Sequence, residues 1–264
     1  MPQQISVRID NELYTATDGQ TILQVAADNG RSIPTLCYLE GLSAPGSCRL
    51  CLVEVAGVGR LLPACTTPAR SGMSVSTNSE SLAHNRLMAL ELLFIERNHV
   101  CSVCVSNGHC ELQSMAQTLG MTHVHLPYNF PRLPVDMSHP RFVLDHNRCI
   151  LCSRCVRVCD EIEGAQVWDI SARGINSMLV AELNRPWGEA PSCTSCGKCV
   201  QVCPTGALVE KGQAVEEMTK RNRIVTDLAV KRGARTRGNR GWPRCGWTAA
   251  PAAICRCSTS TKGC

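Results

Sequence analysis

The chain has 264 residues, 44% of them hydrophobic and only ten of them Phe, Trp or Tyr, which allows one or two domains with real cores and excludes a wholly disordered protein. The formal net charge of +5 joins two unlike parts: residues 220–264 hold 11 Lys or Arg against the single Asp227, whereas residues 1–219 hold 16 basic against 21 acidic side chains. The basic run KRGARTRGNRG is rich in Gly and Arg and lies on no patterned element, so nucleic acid is not an expected partner.

In chain order, Ile5, Val7 and Ile9 alternate with polar residues, Asp10-Asn11 marks a turn, and Leu13 to Ala16 run back as a second strand. Thr21 and Gln24 form a capping box ahead of Ile22, Leu23, Val25 and Ala26, and Gly30 stands where that helix would end. Hairpin, helix, then a cysteine loop is the order of a small β-grasp domain, expected over residues 1–78. A helical insert is expected over 79–126: Ala83, Leu87, Leu90 and Phe94 recur at helical spacing between Ser81 and Arg97, and a second helix runs from Glu111 to Leu119. Pro127, Pro131, Pro134 and Pro140 make 127–140 a connector. Residues 141–219 form the next expected domain, and 220–264 the basic tail, expected to be disordered.

Nineteen cysteines demand disulfides or metal. The start MPQQISVRID lacks the apolar core of a secretion signal, so a reducing cytoplasm is expected and metal is the better reading. No stretch approaches the roughly 18 apolar residues that span a bilayer, so any peripheral membrane association would come through partners.

The strongest pattern is Cys149, Cys152, Cys155 and Cys159, spaced C-x2-C-x2-C-x3-C and repeated as Cys193, Cys196, Cys199 and Cys203 before Pro204. Such a loop presents three thiolates to one iron-sulfur cubane while the fourth cysteine reaches across to the other. This assigns Cys149, Cys152, Cys155 and Cys203 to one [4Fe-4S] cluster and Cys193, Cys196, Cys199 and Cys159 to a second. Zinc prefers separated pairs of ligands and fits rows of four less well. Asp160 stands where the second row has proline, which loosens that loop without removing a ligand. The set Cys37, Cys48, Cys51 and Cys65 keeps the C-x2-C core of a plant-type [2Fe-2S] site, with an upstream gap of ten residues. A third set, His99, Cys101, Cys104 and Cys110, fits another [4Fe-4S] cluster; His109 is the competing nitrogen. An imidazole in place of a thiolate removes one negative charge and raises the potential. Cys245, Cys255, Cys257 and Cys264 belong to no recognisable loop and are read as non-ligands.

In this order, over roughly residues 3–218, the sets resemble an arrangement found in the large iron-sulfur subunit of complex I, in iron-only hydrogenases and in the small diaphorase subunit HoxU of bidirectional NAD-reducing nickel-iron hydrogenases. The stretches RNHVCSVC (97–104) and CTSCGKCVQVCPTGAL (193–208) look most like cyanobacterial HoxU. The resemblance implies an α+β chain of three iron-sulfur domains, the last a two-[4Fe-4S] ferredoxin-like one. Its partners would be a flavin- and NAD(H)-binding diaphorase subunit with FMN, nickel-iron hydrogenase subunits, and an accessory [2Fe-2S] subunit or ferredoxin. No G-x-G-x-x-G or P-loop is present, so no dinucleotide site is expected on the chain itself. Two departures stand out. Arg97 occupies the place of the ligating histidine of the complex I and iron-only families, and the tail from about residue 224 matches nothing in HoxU. A shifted reading frame would account for that tail. The competing readings are a complex I type NADH dehydrogenase subunit and a zinc-binding interaction protein.

Overall fold

The computed structural model describes residues 3–212; the expectations for the basic tail and its four cysteines lie outside them. Strands β1 (Gln4–Ile9) and β2 (Glu12–Thr17) form an antiparallel hairpin. Asp10 and Asn11 turn it with φ of 47° and 71°, the doubly left-handed turn whose twist matches paired strands. Alternation does what was expected of it: Ile5, Val7 and Ile9 are buried and the residues between them exposed.

Helix α1 (Ile22–Asp28) starts on the Thr21/Gln24 capping box, both halves of which are present. Its buried face, Ile22, Leu23, Val25 and Ala26, packs on a five-stranded sheet of order β2-β1-β5-β3-β4, with β3 Leu52–Val55, β4 Leu62–Pro63 and β5 Ser74–Ser76. β1 and β5 run parallel, so the chain must cross over between them, and residues 31–51 are free to form a long loop.

Helix α2 (Glu80–Ile95) is capped by Ser79, whose hydroxyl accepts from the Leu82 amide. The helix does not bury the whole face expected of it. The buried stripe is Leu82, Arg86, Leu90 and Phe94, with Glu91 beside it, and Ala83 is exposed. A charged residue fills one core position because the Arg86 Nη2 donates to the Leu52 carbonyl on β3 at 2.7 Å. Full burial of Leu82 and Leu90 contributes about 2 kcal/mol each. α3 (Glu111–Thr118) follows, and Gly120 with φ of 69° ends it.

The proline-rich connector contains an edge strand, β6 (Val135–Asp136), which pairs with β7 (Phe142–Asp145); β10 (Leu208–Glu210) closes that sheet in the order β10-β7-β6. Between β7 and β10 lie α4 (Arg154–Arg157), a wide helical turn (Val158–Glu163), the hairpin β8 (Trp168–Ser171) and β9 (Met178–Ala181), and α5 (Lys198–Gln201). Gly188 lies against the connector: a Cβ there would stand 2.4 Å from the Ser138 carbonyl oxygen. Backbone cannot yield as a side-chain tip can, so Gly188→Ala is expected to cost about 1–3 kcal/mol and to lower the urea midpoint accordingly.

Candidate metal centres

The two cysteine rows fold alike. Leu151 and Ser153 flank Cys152 with φ of 51° and 56°, and Ser195 and Gly197 flank Cys196 with φ of 56° and 77°. Left-handed backbone at non-glycine residues costs on the order of 1 kcal/mol or more each and persists only where the surroundings impose it. In each row the third cysteine opens a short helix, α4 or α5, which carries the fourth cysteine away from its own loop.

That geometry sorts the eight thiols. One cavity is lined by Cys149, Cys152, Cys155 and Cys203, with Ile150, Leu179 and Leu208 among its walls. A second is lined by Cys159, Cys193, Cys196 and Cys199, with Phe142, Trp168 and Trp187. Electrostatics divides them in the same way. Burial pushes Cys149 up to about 11 and Cys152 up to about 12, with Cys203 pressing on both. Burial also pushes Cys199 up to about 12, and Cys196, Cys159 and Cys193 add to it. Burial raises the enclosed Cys155 well above the usual thiol range, and it feels Cys199 of the other set.

Cys37, Cys48, Cys51 and Cys65 form one hydrogen-bonded string of sulfurs. Contacts with Cys48 and Cys65 hold Cys37 far below the usual thiol range, and the contact with Cys65, whose one S–H is shared between Cys37 and Cys51, brings Cys51 down to about 7. Cys48 and Cys65 are raised in return, by those same partners.

In the third set, Cys110 caps α3 from a buried position, and Cys104 and Cys101 lie near enough to raise its thiol further after burial itself. The two histidines differ sharply. His109 is exposed, whereas His99 packs edge-on against Phe94 with ring centroids 5.7 Å apart. The His99 Nε2 is shielded from solvent and has no hydrogen-bond partner. The ring also bonds the Leu93 carbonyl, and burial, with Arg148 and Arg97 nearby, pushes its pKa down to about 4. The proton therefore sits on Nδ1, and Nε2 offers a bare lone pair at neutral pH. Arg97, in the place of the familial histidine, is buried and donates from Nη2 to the Ser177 carbonyl at 2.6 Å. Its role here is to tie the insert to the β8–β9 hairpin.

The sets are neighbours. One hydrophobic core contains Cys37 and Cys48, Cys110, and Cys152, thiols from three sets; another contains Cys155, Cys159 and Cys199, from the two rows. Gly206 brings the loop after Cys203 against the third set, where a Cβ would stand 3.0 Å from the Cys104 Sγ. Two buried arginines of α4 hold the regions together. Arg154 forks onto Glu111 at 2.7 and 2.9 Å and donates to the Tyr38 carbonyl at 3.1 Å. Arg157 donates to the carbonyls of Cys37 at 2.6 Å and Cys152 at 3.1 Å, and to that of Ser43. Neither arginine was singled out in the sequence, because nothing local marks a charged residue as buried.

Three family models cover most of this arrangement. They describe a 2Fe-2S iron-sulfur cluster binding domain (residues 2–80), an NADH-ubiquinone oxidoreductase-G iron-sulfur binding region (86–125) and the ferredoxin-like domain of NADH-quinone oxidoreductase subunit 3 (140–209). The NAD-reducing hydrogenase HoxS subunit gamma of Cupriavidus necator is 36% identical over 208 residues, which are 78% of this chain and 87% of that protein. The chain belongs to the HoxU-like family of HoxS gamma subunits. A chain in the crystal structure of an NAD+-reducing [NiFe]-hydrogenase in the H2-reduced state agrees, with a TM-score of 0.74 and 40% identity over 79% of this chain and 88% of that one. The NADPH-Fe(3+) oxidoreductase subunit alpha of Geobacter sulfurreducens is 37% identical over 78% of this chain, which spans only 24% of that relative's length. HoxU-like chains thus share their iron-sulfur region with much longer oxidoreductase subunits. Among the described residues of this HoxU-like chain, no helix is long and apolar enough to cross a membrane.

The residues present fit iron-sulfur clusters. Four thiols line each of two cavities, and an orphaned imidazole nitrogen accompanies the third set.

Proposed function

We propose that this HoxU-like chain relays single electrons in the diaphorase part of an NAD-reducing hydrogenase, between a flavin- and NAD(H)-binding subunit carrying FMN and a nickel-iron hydrogenase. The observation that carries this reading is the closeness of the thiol sets: one core holds Cys37, Cys48, Cys110 and Cys152, a second holds Cys155, Cys159 and Cys199, and Cys152 and Cys155 line the same cavity. A bound iron-sulfur cluster supplies one-electron redox chemistry and no proton chemistry. The chain holds one [2Fe-2S] cluster through Cys37, Cys48, Cys51 and Cys65, in a domain read as β-grasp. It holds three [4Fe-4S] clusters through His99, Cys101, Cys104 and Cys110, through Cys149, Cys152, Cys155 and Cys203, and through Cys159, Cys193, Cys196 and Cys199.

The remaining residues wrap these groups and adjust them. Aliphatic walls at Ile150, Leu179 and Leu208 keep water from the first row. Amide N–H groups of Leu151 and Val167 reach the Cys149 and Cys159 sulfurs, each at 3.4 Å. Because the buried thiols of both rows titrate far above neutrality, the bare protein holds them as S–H, and cluster assembly must release those protons.

Cys196 is the exposed thiol of its set, so Cys196→Ala removes a ligand with little disturbance to packing. NADH-linked hydrogen turnover by the purified complex is expected to fall at least tenfold; unchanged turnover would sink the proposal. The complex I reading has support in the family models that match residues 86–125 and 140–209. Nickel that co-purifies with the chain favours hydrogenase, and quinone-linked NADH oxidation favours complex I. A brown protein with acid-labile sulfide, against a colourless one with stoichiometric zinc, separates both from the zinc-binding reading.

A further inference from the structure

The two rows share a backbone but not their surroundings. Around Cys149, Cys152, Cys155 and Cys203 the donors that reach sulfur are backbone amides, those of Leu151 and Arg154. The Thr205 hydroxyl lies 3.8 Å from the Cys203 sulfur, but its hydrogen goes to the Arg148 carbonyl at 2.6 Å. Around the other row the donors include two indole side chains. Trp187 Nε1 donates to the Cys193 Sγ at 3.3 Å, and the Trp168 side chain donates to the Cys199 sulfur.

Trp187 has no freedom to turn away. It is 1% exposed, its ring stacks on Phe142 at 5.4 Å and on His139 at 4.6 Å, and Trp168 meets it edge-on at 4.7 Å. Its backbone amide donates to Asp136 at 2.7 Å and the next amide donates to Ser138 at 2.8 Å. His139 adds a longer contact of the same kind. Its Nδ1 accepts from the amides of Arg141 and Phe142, so the proton sits on Nε2, 3.1 Å from the Ser195 Oγ and 3.9 Å from the Cys193 Sγ. Beside this row Lys198 and Glu163 bring both signs, and the Arg141 guanidinium, which donates to the Ser195 carbonyl at 3.0 Å, adds a charge that a change at Trp187 leaves in place.

A fixed N–H aimed at sulfur stabilises whichever state carries more negative charge on it, and for a cluster that is the reduced state. We propose that Trp187, supported by Trp168, sets the reduction potential of the cluster held by Cys159, Cys193, Cys196 and Cys199, raising it and leaving the neighbouring cluster untouched. Both tryptophans are positioning residues that act through the sulfurs. The inference rests on the cluster assignment proposed above.

The test is an anaerobic redox titration of the full-length protein followed by electron paramagnetic resonance, with Cys196→Ala marking the wave that belongs to this cluster. Trp187→Phe keeps an aromatic ring, smaller than the indole, and removes the N–H. That wave is expected to move to lower potential by about a tenfold change in its reduction constant, 59 mV for one electron, while the other waves stay. Full iron content with every wave unmoved, or movement of a different wave, overturns the proposal. Should Trp187→Phe lose iron, Trp168→Phe is read by the same rule. Wild-type protein labelled with 15N at the indole nitrogen needs no variant: the reduced cluster is expected to show a hyperfine coupling to that nitrogen, and its absence overturns the proposal. Wild-type protein without iron and sulfide would instead sink the electron-relay reading itself.

Discussion

Cys159→Ala is expected to cost the protein about four irons and the cluster of the second row, while the cluster of its own row survives. The expectation is sharp because Cys159 sits in the motif that begins at Cys149, yet its sulfur lines the cavity of Cys193, Cys196 and Cys199. Cys203→Ala is the mirror experiment, with its thiol in the cavity of Cys149, Cys152 and Cys155. Iron and sulfide analysis with redox titration of both variants decides the matter: each must abolish the wave that the other spares. If Cys159→Ala abolishes the same wave as Cys149→Ala, ligation is not crossed.

Arg154→Ala is expected to lower stability by about 2–4 kcal/mol, measured as a fall in the urea midpoint of the iron-loaded protein. Arg154 is 4% exposed, and its guanidinium ties α4 to Glu111 of α3 and to the carbonyl of Tyr38 in the cysteine loop of the first domain. Glu111 is half exposed and regains water when the arginine is lost. The Tyr38 carbonyl loses its donor from Arg154 in the same step. Arg154→Lys keeps the charge but cannot fork, so it should recover only part of the loss. A stability change below about 0.5 kcal/mol in Arg154→Ala would show that α4 does not hold these regions together.

Much of the local structure was legible without coordinates. The hairpin follows from strict alternation and a two-residue turn, and α1 from a capping box four residues long. The cysteine rows were legible because a cluster loop is short: three thiols within seven residues and a fourth four residues on leave few backbone paths. α2 shows where such reading stops. Its apolar residues suggest a face that includes Ala83, but the core takes Leu82 and Arg86, since the guanidinium finds a carbonyl on β3 that lies 34 residues earlier in the chain.

The same limit governs the sites. Sequence by itself determined which cysteines stand at cluster-loop spacing and which sets they form along the chain, because loop spacing is a local property. Only the tertiary structure decided that His99, with a shielded and unpartnered Nε2, differs from exposed His109. It also decided that Arg154 and Arg157 are buried ties, and that Trp187 from the segment before the second row aims its N–H at Cys193. A buried charge or a fixed donor is defined by partners far away along the chain. No local pattern in the residues themselves records where those partners will be.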